Sequence, residues 1–341
     1  MTDNKHHIDM IALSSWLIQN LKGFKGPAKI DKYSGGQSNP TYRLSTPDQI
    51  YVLRCKPPGV LLKSAHAVDR EFRVQKALAE TAVPVPEMYV LCEDESIINS
   101  MFYVMEEVQG YCFDSPQLPD QSPRSRWGMM DEMNRVLAAI HNVDIRAVGL
   151  ADYGPTGNYY RRQIDRWSKQ YRASQTKNIA DMEALITWLD QNIPADDGQR
   201  SLVHGDYRLD NLLFHKGKCV AVLDWELSTI GHPYADLAAV IMQWSMPPGR
   251  NGRGLLGVDR QPLGLWSDQR FIDNYCYRRG LPGIENFGFY LAFCYFRMAA
   301  ILQGVLKRAL DGNASDPERG LQLGRYVPQF AKRGLKAAQG Q

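Results

Sequence analysis

The stretch Leu202-Val203-His204-Gly205-Asp206-Tyr207-Arg208-Leu209-Asp210-Asn211, followed after a short turn by Cys219-Val220-Ala221-Val222-Leu223-Asp224-Trp225-Glu226, decides how the chain is read. Two short apolar runs, read as a strand pair, end in oxygen-bearing side chains, so an exposed loop can point Asp206, Asn211 and Asp224 at a common ion or substrate. Asp206 and Asn211 stand five positions apart, with His204 two before the aspartate, which is the spacing of the protein-kinase catalytic loop. Asp224 follows an apolar strand, where such kinases carry a second metal-binding carboxylate. Phosphoryl transfer asks a protein mainly to position phosphates, metal ions and the accepting hydroxyl. Oxygen donors of this kind suit Mg2+. Each residue alone has an ordinary reading as a turn or cap residue; order, spacing and strand context together favour a kinase centre. His204 reads as a packing and hydrogen-bonding residue, and a zinc site from His204 and His215 is disfavoured because neither HExxH nor a Cys cluster accompanies them.

Length and composition allow such a centre. A chain of 341 residues invites two lobes, and 44% hydrophobic with 23% charged residues is an ordinary globular composition. The six cysteines are scattered, with no CxxC pair, which suits reduced thiols in the cytoplasm. The start carries no basic segment followed by an apolar one, and no run is read as approaching the roughly 18 apolar residues of a membrane span. Neither a membrane nor a nucleic acid is expected as partner. From Ile241 onward fourteen Lys and Arg face seven Asp and Glu, a net +7, so the remainder carries −4. Either these are solvated helix faces or the C-terminal half attracts an anionic partner.

Outward from the centre, the N-terminal third reads as an antiparallel sheet with a helix on it, one small lobe ending near Gly110. An entry helix spans Ile8 to Leu21. Lys29 to Tyr33, the turn Ser34-Gly35-Gly36-Gln37-Ser38-Asn39-Pro40 and Thr41 to Leu44 make a hairpin; its small residues can let backbone N–H groups approach a phosphate, but the turn is neither GxGxxG nor a Gly-Lys-Ser/Thr loop and on its own reads as a plain hairpin. Tyr51 to Arg54 is a third strand ending in a cation. The helix from Ala65 to Glu80 carries Glu71 near its middle; taken alone the two are unrelated surface charges, and beside a kinase centre they can pair and orient nucleotide phosphates. Val83-Pro84-Val85-Pro86 is extended, and strands around Met88 to Cys92 and Met101 to Met105 close the sheet.

Beyond Gly110 the pattern becomes helical. Ser115 to Arg126 reads as a loop, then Trp127, Met130, Met133, Leu137 and Ile140 mark one buried helix face. A longer helical region runs from Tyr159 to Asn192. Gly231-His232-Pro233 opens another helix, and the Gly- and Pro-rich stretch from Met246 to Gly264 reads as a mobile or ligand-facing loop. In the last long helix, Phe287 to Leu310, Arg297 interrupts the apolar stripe of Phe293 and Ile301; it either pairs with an acidic residue or lines the acceptor cleft.

Three segments now carry a resemblance: Val203 to Asn211, Val222-Leu223-Asp224-Trp225-Glu226, and Gly231-His232-Pro233-Tyr234-Ala235-Asp236-Leu237-Ala238. Together they resemble the aminoglycoside phosphotransferase (choline kinase-like) family. Within it, Ser34-Gly-Gly-Gln-Ser-Asn, Tyr51-Val-Leu-Arg-Cys-Lys-Pro-Pro-Gly, Ala65-His-Ala-Val-Asp-Arg-Glu-Phe-Arg and Asp206-Tyr-Arg-Leu-Asp-Asn are similar to the kinase-like domain fused to certain acyl-CoA dehydrogenases. The likeness runs from about Lys29 to Arg325.

The resemblance implies an α+β, two-lobed protein-kinase-like fold. Residues 1–110 would form a nucleotide-binding lobe with an antiparallel sheet, and 111–341 a mainly helical lobe with catalytic loop and acceptor site. ATP would lie between the lobes, with Ser34, Gly35 and Gly36 at its phosphates and Glu106 to Val108 as hinge. It makes Asp206 the general base, Asn211 and Asp224 the Mg2+ ligands, and Arg54, paired with Glu71, the stand-in for the usual strand lysine. His232 stands where relatives carry Asp, read as a surface change of small effect. Aminoglycosides are polycations, so the +7 C-terminal half favours an anionic acceptor instead, and the dehydrogenase-linked relatives imply a hydroxyacyl-CoA. An antibiotic kinase and a non-catalytic nucleotide-binding scaffold are the alternative readings.

Overall fold

The computed structural model describes residues 8–33, 39–57, 67–249, 252–314 and 316–340. The chain divides into two compact units. The first gathers Met1–Cys112, Arg146–Leu150 and Asp210–Ser228; the second holds Phe113–Ile145, Ala151–Leu209 and Thr229–Gln341.

The first unit begins with helix α1 (Met10–Asn20), capped by Asp9, whose carboxylate accepts the Ile11 and Ala12 N–H groups at 2.9 and 3.0 Å. Strands β1 (Lys29–Lys32), β2 (Thr41–Ser45) and β3 (Ile50–Cys55) follow, then helix α2 (Val68–Leu78) and strands β4 (Met88–Cys92) and β5 (Phe102–Glu106). They form one antiparallel sheet in the order β1-β2-β3-β5-β4. Side chains alternate across a strand, and here the alternation sorts the two faces. Tyr51, Leu53, Cys55, Phe102 and Val104 pack with Leu13 and Leu17 of α1. Val52, Tyr103 and Met105 pack with Val68 and Phe72 of α2. Arg54 shares the parity of Val52, so its side chain goes to the α2 side.

In the second unit, helix α3 (Pro123–Asn142) starts inside the segment read as a loop through Arg126. Ser122 is its N-cap and Pro123 its first residue, a start signal the composition of the loop had hidden. Met130, Met133, Leu137 and Ile140 are buried as expected. Trp127 is not: it is 41% exposed, its ring under the Arg270 guanidinium at 4.0 Å. The helical region read from Tyr159 to Asn192 comprises two helices, α4 (Tyr159–Ser174) and α5 (Ala180–Gln191).

The deciding stretch also pairs differently from the reading. Its first apolar run is β6 (Ser201–Val203) in the second unit. The chain then enters the first unit, where β7 (Leu212–His215) and β8 (Lys218–Val222) form their own hairpin around Lys216 and Gly217. Both turn residues have positive φ (49° and 77°), as a two-residue hairpin of matching twist requires. The partner of β6 is instead β9 (Thr229–Gly231), antiparallel, in the second unit.

Helices α6 (Tyr234–Trp244), α7 (Asp268–Arg279), α8 (Phe287–Leu310), α9 (Pro317–Gly324) and α10 (Val327–Ala338) complete that unit. Helix α8 packs against α4, α5, α6, α9 and α10. At 24 residues it is long and apolar enough to cross a membrane, which the sequence reading had not seen, yet 67% of its most apolar window is buried inside the protein. Length and apolarity here also describe a core helix.

Candidate active site

The charged pair expected on β3 and α2 forms. Arg54 donates from Nε to Glu71 Oε2 at 2.7 Å and from Nη2 to Glu71 Oε1 at 2.9 Å, the forked geometry a carboxylate and guanidinium favour. Nη2 also reaches Asp224 Oδ1 at 2.8 Å, and Nη1 donates to Thr41 Oγ1 at 3.2 Å. Burial by itself lowers the guanidinium's pKa, but Glu71, Tyr103 and Asp224 outweigh it and hold Arg54 above its ordinary value. Glu71 is only 1% exposed. Its charge is met by Arg54, by the Tyr103 hydroxyl donating at 3.0 Å, and by the Asn39 amide at 3.4 Å. Burial, then the Glu71 charge, push the Tyr103 phenol well above its usual range, so it remains an O–H donor. Tyr103 pairs with Arg54 across the β3–β5 ladder, which explains why both meet Glu71.

Asn211 and Asp224 flank the β7–β8 hairpin. The Leu223 N–H donates to the Asn211 carbonyl at 2.9 Å, so the two strands close beside both residues. Asp224 sits in the left-handed region, φ 65° and ψ 59°, an uncommon state that Asp and Asn tolerate better than most residues. Its side chain is 34% exposed. Among the described residues, the carboxylates of Glu71, Asp224 and Glu226 have ligand oxygens within 4.8 Å of one another. Carboxylate oxygens are donors that Mg2+ takes, so these three residues fit the ion by their chemistry. Glu226 lies in the quoted stretch, but sequence reading gave it no role; its carboxylate meets Asn39 Nδ2 at 3.5 Å.

In the second unit, the loop after β6 is held from several sides. Asp236 of α6, 2% exposed, accepts the His204 N–H at 2.6 Å and the Gly205 N–H at 2.9 Å. His141 Nε2 lies 3.4 Å from the same carboxylate, and its Nδ1 is 2.7 Å from the Tyr275 hydroxyl. Burial works against the Asp236 charge, but His141, His204 and the Gly205 N–H more than compensate and keep it below the ordinary carboxylate range. Burial lowers the His141 pKa below its usual value, despite Asp236. The Tyr207 hydroxyl donates to the Met133 carbonyl at 2.7 Å. Arg297 donates to the Gly205 carbonyl at 3.1 Å, with the Trp167 ring 5.8 Å from its guanidinium. Between these fixtures the Asp206 carboxylate stays 36% exposed, with Arg208 Nε 3.2 Å away in an electrostatic contact that lacks hydrogen-bond geometry.

One expectation is placed differently. His232 is no surface residue: it is 8% exposed, stacked on Tyr290 with ring centres 5.5 Å apart, and 3.4 Å from Asp197. The aromatic side chains Tyr160, Tyr234 and Tyr290 enclose it. Glu106 ends β5 three positions beyond Tyr103, and its carboxylate accepts the Glu87 N–H at 3.1 Å. Val108 follows it, half-buried. Ser34, Gly35 and Gly36 lie outside the described residues. Sequence reasoning missed Asp236 and His141 as supports of the loop; an acidic residue on an otherwise buried helix face was the available signal.

An antiparallel sheet with a helix beneath it, a helical unit, and a carboxylate loop between two strand ends define a phosphotransferase with an alcohol group as acceptor. A family model described as the phosphotransferase enzyme family matches residues 29–269. The chain is 47% identical to the mouse acyl-CoA dehydrogenase family member 10 over 293 residues, 85% of this chain and 27% of that protein. It therefore spans well under half of that relative's length. A crystal structure from Ralstonia eutropha JMP134, provisionally assigned as an aminoglycoside phosphotransferase, superposes with a TM-score of 0.91 at 47% identity, covering 98% of this chain and 99% of that one. APH(4)-Ia, in ternary complex with AMP-PNP and hygromycin B, shares the fold at 18% identity and a TM-score of 0.62, over 97% of this chain and 100% of its own. The chain belongs to the phosphotransferase enzyme family.

Proposed function

We propose that the chain transfers the γ-phosphoryl group of ATP to a hydroxyl of an anionic small molecule, with hydroxyacyl-CoA as the substrate class. The Asp206 carboxylate, left exposed while Asp236 and Arg297 fix the backbone before it, carries this reading. A base must be positioned and reachable by its proton, and the fixed backbone of His204 and Gly205 together with the partial exposure of Asp206 supports that role. It takes the proton of the acceptor hydroxyl as that oxygen bonds to the γ-phosphorus; the bond from phosphorus to the β,γ-bridging oxygen breaks and ADP departs.

Asn211 and Asp224 would hold Mg2+, and Arg54, fixed by Glu71, would meet the nucleotide phosphates. When bound, the ion neutralises charge on the phosphates during transfer. Ser34, Gly35 and Gly36 would close over those phosphates, and Glu106 and Val108 would line the adenine hinge, with residues 1–110 as the nucleotide-binding lobe and 111–341 as the lobe carrying the base. The AMP-PNP bound by APH(4)-Ia supports ATP as the donor type.

Two observations support an anionic acceptor: the net +7 from Ile241 onward and the Arg297 guanidinium beside the loop. The name of the mouse relative supports an acyl-CoA. An aminoglycoside acceptor, favoured by the assignment of the Ralstonia protein, would bring a polycation to this positive half. The cytoplasm, with neither membrane nor nucleic acid as partner, is the setting we infer. An acceptor screen that follows ADP release over hydroxyacyl-CoA esters, other anionic alcohols and aminoglycosides tests the proposal, with Asp206→Asn beside the native chain. Turnover on aminoglycosides alone, or on none of the acyl-CoA esters, would overturn the substrate class.

A further inference from the structure

The Arg54 guanidinium stands inside the group of carboxylates that suits a divalent ion. It binds Glu71 through two nitrogens and Asp224 through one, and Glu71, Asp224 and Glu226 have ligand oxygens within 4.8 Å of one another. A cation already fixed there competes with any second cation for the same negative charge. Two like charges held this close repel each other at the effective dielectric of a protein surface. The contact is also durable. Arg54 is a planar fork that reaches Glu71 and Asp224 at once, whereas a lysine in its place would offer a single compact ammonium. Its side chain is 12% exposed and Glu71 is 1% exposed, so water screens that pair little, while Asp224, at 34%, stays open to an incoming ion.

We propose that Arg54 is a built-in counter-ion for Asp224, which keeps free divalent cations weakly bound until nucleotide phosphates supply further negative charge. The proposal rests on the reading of Asp224 as a metal ligand. Asp224 Oδ1 is engaged by Arg54 from within the protein. An incoming ion must share that carboxylate with the guanidinium, or displace it. Phosphate oxygens relieve this conflict in two ways: they donate to the ion themselves, and they give the Arg54 Nη groups a second acceptor. Metal and nucleotide binding are thereby coupled, and the identity of residue 54 sets how strongly. An arginine here makes the metal site depend on nucleotide more than a lysine would.

The test is a Mn2+ titration of the full chain, with free Mn2+ read by electron paramagnetic resonance, so that no turnover enters the measurement. Without nucleotide, Arg54→Lys should bind Mn2+ several-fold tighter than the native chain, and Arg54→Gln on the order of tenfold tighter. A non-hydrolysable ATP analogue should tighten Mn2+ binding more in the native chain than in either variant. Arg54→Gln leaves Glu71 buried with less compensation, so thermal melting must show that it folds; if it does not, Arg54→Lys decides alone. Folded variants with native Mn2+ affinity and native coupling would overturn the proposal. Asp224→Asn separates the two levels of inference. If it leaves Mn2+ binding unchanged, the metal-ligand reading itself fails; if it weakens binding while the Arg54 variants match the native chain, only the counter-ion role fails.

Discussion

Asp236 and His204 are joined through the backbone: the carboxylate Oδ2 accepts the His204 N–H at 2.6 Å, while Oδ1 takes the Gly205 N–H at 2.9 Å. One buried side chain thus satisfies two successive amides immediately before Asp206. A buried amide left without an acceptor costs about 1–3 kcal/mol. Asp236→Ala removes both acceptors and leaves His141 without its carboxylate. It should lower unfolding stability by at least about 2 kcal/mol and reduce kcat more than the KM for nucleotide. Urea denaturation and steady-state kinetics check both, and Asp236→Asn, which keeps one acceptor oxygen, should fall between.

Two buried histidines should make stability sensitive to acid. Burial holds both His141 and His232 below the ordinary imidazole value, despite Asp236 and Asp197. Well above pH 6.5 each is neutral whether folded or unfolded, and contributes no slope. As pH falls through about 6.5 the unfolded chain takes up protons that the folded one refuses, so stability declines from there toward the lowered folded values. The stability of His232→Phe should fall less steeply between pH 7 and 5 than that of the native chain. Denaturation midpoints across that range are the measurement, and equal slopes would mean that His232 protonates as easily folded as unfolded.

Asp206→Asn keeps the size and most of the polarity of the side chain but cannot take a proton. General-base contributions are typically 10²–10⁴-fold. A kcat loss in this range, with nucleotide binding within about twofold of native by fluorescence titration, is the expected result. A variant retaining more than about a tenth of the native kcat would remove Asp206 from the base role.

The legible parts of this molecule are those where neighbours in sequence are neighbours in space. Alternation in Ile50–Cys55 places Arg54 opposite the face of Leu53, and the next helix brings Glu71 to it, so this pair could be read before any coordinates. Asn211 and Asp224 are likewise joined by one short hairpin. What escaped the reading depends on long-range partners. The apolar run Ser201–Val203 pairs with Thr229–Gly231, across an inserted hairpin, and no local pattern announces that skip. His232, standing where relatives carry Asp, reads as a surface change, yet Tyr160 and Tyr290 arrive from distant helices to bury it. Asp236 looked like one polar residue in an apolar helix; its role appears only when α6 lies beside the loop it supports. Trp127 fails in the opposite sense: helical period places it on the apolar stripe, but Arg270 satisfies the ring at the surface.

Arg297 offers the sharpest discrimination among acceptors. Its guanidinium donates to the Gly205 carbonyl at 3.1 Å while the Trp167 ring lies 5.8 Å away, so it touches the backbone one residue before the proposed base. Two effects are therefore possible on removing it, and they separate by substrate charge. Loss of the Gly205 contact slackens the loop and lowers kcat for every acceptor alike. Loss of the positive charge raises KM only where the acceptor is anionic, and raised salt should then narrow the difference between native and variant. For an acyl-CoA-type acceptor, Arg297→Ala should raise KM on the order of tenfold, with a smaller rise for a neutral alcohol, and Arg297→Lys should recover part of the charge effect. Steady-state kinetics over a series of acceptors of graded charge makes the comparison. A uniform fall in kcat with KM unchanged throughout the series would assign Arg297 wholly to holding Gly205, and the anionic preference would then have to come from other cations of the C-terminal half.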